Sequence, residues 1–320
     1  MSKKEDNSRL KRVIGLPGAV MLGLGSIIGT GVFVSLGIGV GIAGPMVLPA
    51  IAVAGLVALC NGMSSAQLAA NHPVSGGTYE YGHRWLNPSQ GFVAGWMFLC
   101  AKSASAATAA LGFALYLAPD HSLPIALATV GAVTALTLTG MQRSNMVNTL
   151  IVAAVLLSLI AFIAFGAPAI SNHPDRWQTE WDTENLSSLL PASALMFVAF
   201  TGYGRVATLG EEVAEPRRTI PRAIIATLVV TTLLYAGVAW VALANAGNEF
   251  DSLAAIAQSF SGSTLAKGLT VGAAIAMISV LLNLVLGLSR VVLAMGRRSD
   301  LPEATANISE NTGVPVIATI

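Results

Sequence analysis

The residues that could do chemistry cluster in GSIIGTGVF, Gly25 to Phe33, where three glycines and two hydroxyls (Ser26, Thr30) fall within seven positions of a long apolar run. Glycine is costly inside a helix because its backbone loses the most freedom on folding. A lipid-facing helix has no use for such a cluster. At membrane depth, non-helical backbone is tolerated only where it is buried in protein or lines a watery cavity. The run therefore predicts a helix broken at mid-depth. Free N–H groups opening the second half would hold an anion, and free carbonyls closing the first would hold a cation. A molecule with both charges close together, an amino acid, fits that pair. Glycine spacing alone also fits a small-residue face that lets two membrane helices approach closely.

A second interruption lies in AFTGYGRVATLGEEVAEPRRTIPRAI, Ala199 to Ile224, where Thr201, Gly202 and Gly204 break another apolar run. The two breaks are five spans apart, and matched glycine interruptions in corresponding spans point to a binding site at the midplane. Glu211 and Glu212 are read as the end of a half-helix at an inner gate, paired to nearby arginines, with Pro216 and Pro221 bracketing Arg217 and Arg218. A solvated loop is the competing reading of the same charges. Lys102 falls near the middle of a third span. A Lys at that depth costs at least about 2.5–3.5 kcal/mol on insertion scales, so it should face the interior or a cavity. There it would either titrate during proton coupling or select neutral or acidic substrates. His72, His83, His121 and His173 all fall in loops, and no Cys/His cluster has metal spacing. An enzyme, a bound metal and a cofactor are therefore not expected.

The elements that must position these residues follow from composition. Of 320 residues, 54% are hydrophobic and 10% charged, against about 25% charged in soluble domains. Apolar runs near 20 residues match the bilayer core. We place eight spans at 13–40 (broken near 25–31), 46–70, 91–118, 122–141, 146–167, 189–213 (broken near 201–204), 222–246 and 266–296. A net charge of +1 implies no nucleic-acid partner. Cys60 and Cys100 both lie in apolar runs and give no disulfide framework.

Orientation follows the positive residues. With the N-terminus cytoplasmic, Lys3, Lys4, Arg9, Lys11, Arg12, Arg84, Arg143, Arg205, Arg217, Arg218, Arg222, Arg290, Arg297 and Arg298 lie on or near that side. Only Arg176 and Lys267 lie opposite, and Lys102 lies within the membrane. The opposite loop after span five is acidic and aromatic (Asp175, Trp177, Glu180, Trp181, Asp182, Glu184). The closing VPVIATI reads as the start of a ninth span, so a truncated chain is expected.

Four motifs then carry a resemblance. GSIIGTGVF, HPVSGGTYEYGHRWLNPSQGFVAGW (His72 to Trp96), GYGRVATLGEEVAEPRRTIPRAI and LSRVVLAMGRRSDLP (Leu288 to Pro302) resemble, in order and spacing across 13–320, the amino acid–polyamine–organocation (APC) superfamily. The likeness is nearest its bacterial permeases and cationic amino acid transporter branch. The resemblance implies an all-α membrane protein with a five-plus-five inverted-repeat fold, here truncated after span eight. Residues 1–12 would be a cytoplasmic tail, 13–167 the first repeat, 168–188 an extracytoplasmic loop and 189–320 an incomplete second repeat.

The function implied is secondary transport of amino acids by alternating access across the plasma membrane, coupled to protons or run as exchange. The alternatives are polyamine or organic-amine transport and a non-transporting sensor. By the family's pattern the substrate carboxylate binds backbone N–H groups at Thr30 and Gly31, with the Thr30 hydroxyl adding a bond. The ammonium goes to carbonyls of Ile27, Val198, Ala199 and Thr201. Tyr203, or Phe200 beside it, is the aromatic gate. SGGTYEYG (Ser75 to Gly82) forms a short helix lining the inner vestibule. The sequence departs from relatives that carry a Lys in span five, where Ala154 and Val155 stand. A sodium site would need span-one carbonyls with span-eight groups such as Ser279, Asn283 and Ser289, and that pattern is not clear. The loop Pro119 to Ser122 has no Cys, so no disulfide-linked partner subunit is expected.

Overall fold

The computed structural model describes Leu10 and residues 12–178, 183–247, 250, 252–309 and 312–320. Lys3, Lys4, Arg9, Lys11, Glu180, Trp181 and Asp182 lie outside the described residues, as does the side chain of Glu184. The described chain is almost entirely helical, with a single isolated bridge between Ile14 and Val213.

Among the described residues, seven stretches are long and apolar enough to cross a membrane. The first, Leu16–Asn71, has 56 residues. At ~1.5 Å per residue it is more than twice the thickness of a bilayer core, so it must hold two spans. The reversal falls at Gly44, whose φ of 51° is open to glycine and strained for other residues. Before it run α1 (Leu16–Ile27) and α2 (Leu36–Ala43), and after it α3 (Val47–Asn71). The short α4 (Thr78–Trp85) precedes α5 (Pro88–Leu117), α6 (Ser122–Leu138) and α7 (Met141–Gly166). A loop containing α8 (Pro168–Asn172) leads to α9 (Thr183–Phe200) and the single turn α10 (Gly204–Ala207). Then come α11 (Pro216–Ala246), α12 (Leu253–Ser261), α13 (Ser263–Arg297) and a last turn, α14 (Val316–Thr319). Among the described residues this gives eight segments of crossing length, each overlapping a span expected from hydropathy.

The largest boundary errors are at α9 and α11, each of which starts six residues before the expected position. In α11, Pro216 opens the helix, where its missing N–H costs nothing, and Pro221 is absorbed inside the first turns. The Arg-rich segment is therefore helix, not loop. Glu211 and Glu212 also differ from expectation: α10 stops at Ala207, and both carboxylates sit in the turns that follow.

α11 and α13 are the most buried spans, while α5 and α6 are the most exposed. Large apolar side chains such as Leu56, Leu127, Leu157, Leu190 and Leu233 cover the outside, as a lipid-facing belt requires. Arg176 packs across the loop end of α11, donating to the carbonyls of Asn245 (2.7 Å) and Ala244 (3.4 Å). It thereby satisfies orphan C-terminal carbonyls of that helix.

Candidate functional site

The α1 ladder ends with the Ile28 N–H on the Leu24 carbonyl (2.7 Å). Ile28 itself is extended, with φ −79° and ψ 100°. Helical bonding resumes with the Phe33 N–H on the Gly29 carbonyl (3.1 Å) and continues as a π-helical turn, Gly31–Ser35. Thr30, Gly31 and Val32 precede that bond, the position where a helix's amides lack a carbonyl of their own. The second break follows α9: Thr201–Tyr203 is a 3₁₀ turn, and the helix lasts one more turn to Ala207.

The two breaks touch. A Cβ at Gly202 would overlap the backbone carbonyl of Ser26, so only glycine lets the 3₁₀ turn lie against the end of α1. Between them is a cavity of about 120 Å³. From the first break it is lined by Ser26, Ile27, Thr30 and Ser35, and from the second by Val198, Ala199, Thr201, Gly202 and Arg205. α5 contributes Phe98, Lys102 and Ser105, and α13 adds Val280, Asn283, Leu284 and Gly287. The α5 residues are spaced i, i+4, i+7, one face of a helix.

Of the residues expected from sequence, Ile27, Thr30, Val198, Ala199, Thr201 and Lys102 thus share one cavity. Gly31 is buried just behind it, where the hydroxyl of Tyr235 fills the space a side chain would need. That hydroxyl donates to the Ile27 carbonyl (2.9 Å) and fixes the end of α1. Phe200 and Tyr203 are not among the cavity walls. Phe200 is fully buried against Tyr235, with ring centroids 5.4 Å apart, and Tyr203 is buried on the side facing Gly62 of α3.

A polar cluster behind the first break joins three spans. Asn148 of α7 donates to the Met21 carbonyl (2.9 Å). Its carboxamide oxygen accepts from Ser279 (2.8 Å) and Asn283 (2.5 Å) of α13. Ser279 also reaches the Gly25 carbonyl at 3.5 Å. Asn148 was not among the expected site residues; the positions singled out in that span, Ala154 and Val155, lie six and seven residues further on.

Sequence reasoning placed Arg205 with the basic residues of one membrane face. The structure puts it in the cavity wall, 6% exposed. The signal was available: Arg205 directly follows the GYG break, too close to it to reach the aqueous face.

At the N-terminal end of the bundle, charged groups form a lock. Arg290 of α13 bonds Glu212 through Nε (3.1 Å) and Nη2 (2.5 Å), with both side chains almost wholly buried. Arg297 bonds Glu211 (2.6 and 3.1 Å), and Arg298 bonds Glu80 of α4 (2.9 and 2.7 Å). Tyr79 donates to Asp300 at 2.6 Å. Burial first, then this bond to Asp300, pushes the Tyr79 phenol well above its usual value. The lead-in chain pairs with the loop after α10: the N–H groups of Val13 and Ile14 bond the Glu212 carbonyl, and Ala214 bonds Ile14 in return. Glu211 caps this arrangement by accepting from the N–H groups of Leu10 (3.3 Å) and Ser75 (3.1 Å). The acidic pair thus meets the arginines of α13. Arg218 is 3.7 Å from Glu215 on the exposed surface.

The chain and its fold have known counterparts. The amino acid permease family model matches residues 18–320. The chain belongs to the amino acid permease family. This member is 42% identical over 315 residues to "Uncharacterized transporter Rv1999c" of Mycobacterium tuberculosis, an alignment covering 96% of this chain and 70% of that one. It is 29% identical over 339 residues to "Branched-chain amino acid permease BcaP" of Bacillus subtilis, covering 97% and 72%. Its fold matches the crystal structure of MhsT in complex with L-phenylalanine, with a TM-score of 0.73 at 14% identity, covering 97% of this chain and 77% of that one. The expected APC membership and the all-helical transporter fold therefore hold. This is a multi-pass membrane protein of a transporter family.

Proposed function

We propose that this protein carries an amino acid across the plasma membrane by alternating access, with its N-terminus cytoplasmic. The observation that carries the reading is the meeting of two interrupted helices, through Gly202 and Ser26, around one cavity at the break of each. The substrate carboxylate sits on the Thr30 and Gly31 N–H groups and the Thr30 hydroxyl, at the positive end of the resumed helix. The ammonium sits among the carbonyls of Ile27, Val198, Ala199 and Thr201. The Ile27 and Val198 carbonyls already accept from Tyr235 and Thr201, and each oxygen keeps a second lone pair. Phe200 or Tyr203 becomes the gate if the 3₁₀ turn rotates on closure.

In this reading spans one to five, 13–167, form the first repeat, 168–188 the outer loop and 189–320 the part of the second repeat seen here. The lock at Glu80, Glu211 and Glu212 is the inner gate. Proton coupling or exchange is favoured over sodium, because the Asn148 carboxamide fills the place where span-one carbonyls meet Ser279. The likeness to named amino acid permeases supports the substrate class.

Reconstituted protein in proteoliposomes is the test. Counterflow of a labelled amino acid should be accelerated by unlabelled amino acids on the opposite side and not by spermidine. Acceleration by polyamines alone would overturn the substrate assignment. Binding seen by thermal shift without any flux would make the protein a sensor.

A further inference from the structure

The cavity has an uncompensated charge that backbone binding of a zwitterion leaves unused. Among the described residues, Lys102 and Arg205 are its only ionisable lining residues, and no carboxylate lines it. Among the described residues Lys102 makes no ion pair or hydrogen bond. Arg205 uses only Nη1, which donates to Thr208 at 2.6 Å. Its Nε and Nη2 are buried without a partner. Glu212 is near enough for its charge to act on Arg205, but both its oxygens are bonded to Arg290. A buried guanidinium with unmade bonds is costly, because burial removes water that nothing else replaces. The Nε and Nη2 groups form one edge of the planar fork, the edge that two carboxylate oxygens bridge.

We propose that the cavity selects an amino acid with a second carboxylate, an acidic amino acid, whose side chain is held by the ammonium of Lys102 and by the Nε/Nη2 edge of Arg205, which turns into the cavity on binding. The inference rests on the amino-acid reading above and narrows it. The α-carboxylate and ammonium occupy the backbone groups of the two breaks. The side-chain carboxylate then supplies the anion that the two cations lack. Cationic amino acids and polyamines are repelled by the same pair. Glutamine matches glutamate in shape but offers no charge, so the pair discriminates between them by electrostatics alone.

The experiment is competition counterflow at neutral pH in proteoliposomes, comparing glutamate with glutamine, aspartate with asparagine, and both with arginine. Glutamate and aspartate should compete about tenfold or more better than their amides, and arginine should not compete. Lys102→Gln and Arg205→Gln should each lower the acid-to-amide ratio about tenfold. Lys102→Arg should restore the ratio. If Arg205→Gln does not fold, Lys102→Gln carries the test, since Lys102 is partly exposed in the cavity. Equal competition by acid and amide, or an unchanged ratio in the folded variants, overturns this inference and leaves amino acid transport standing. A protein that responds to no amino acid overturns both.

Discussion

Gly25 has no room for a side chain. A Cβ there would overlap the Asn148 oxygen and lie 2.7 Å from Ser279 Oγ and 2.9 Å from Asn283 Nδ2. Gly25→Ala must push the three-span polar cluster apart, so we expect a loss of about 1–3 kcal/mol, the range for overpacking a tight interior. Thermal unfolding in detergent measures it, and an unchanged midpoint would show that the cluster yields freely. The glycine cluster was legible in the sequence as a special site. Its partners were not, because Asn148, Ser279 and Asn283 come from spans more than 100 residues away. The same holds for Tyr235, which bonds Ile27 across 208 residues.

At the scale of elements, the two interrupted helices behave as expected at their breaks and differently beyond them. The first resumes through a π-helical turn, while the second survives only one turn before the chain loosens toward Glu212. That loosened segment is held by α13 through Glu212–Arg290. Both groups are almost fully buried, so removing one charge strands the other. Glu212→Gln should therefore destabilise the protein by about 3–5 kcal/mol. Replacing both partners by Leu and Met should cost much less, since no buried charge remains. Urea-free thermal melts of the two variants separate these outcomes. Equal losses would mean that the pair contributes through shape and not through charge.

For the whole molecule, a lipid-facing belt surrounds a core in which α1 packs against both α11 and α13, and buried and part-buried ion pairs concentrate at the N-terminal end. Glu211 ties that end together. Burial alone would raise its carboxyl, but the bonds from Arg297 and from the Ser75 and Leu10 N–H groups outweigh it and hold the value below the ordinary one. A depressed carboxylate contributes stability that is present above its unfolded value, about 4.3, and lost as pH falls through the lower folded value. We expect thermal stability to drop below about pH 4.3 and expect Glu211→Gln to flatten that drop. An acid limb of unchanged depth in the variant would assign it to other carboxylates.

The sequence by itself determined the membrane setting, the eight crossings and the two interruptions. Each rests on local quantities, namely run length, hydropathy and glycine spacing. It also singled out Lys102 from the cost of a charge at mid-depth. Only the tertiary structure decided that Arg205 belongs to the cavity, that Asn148 anchors the first break, and that Phe200 and Tyr203 stand behind the wall. Those assignments depend on which way a side chain points once a helix has been broken and rotated. Helical periodicity no longer reports that direction where the helix ends.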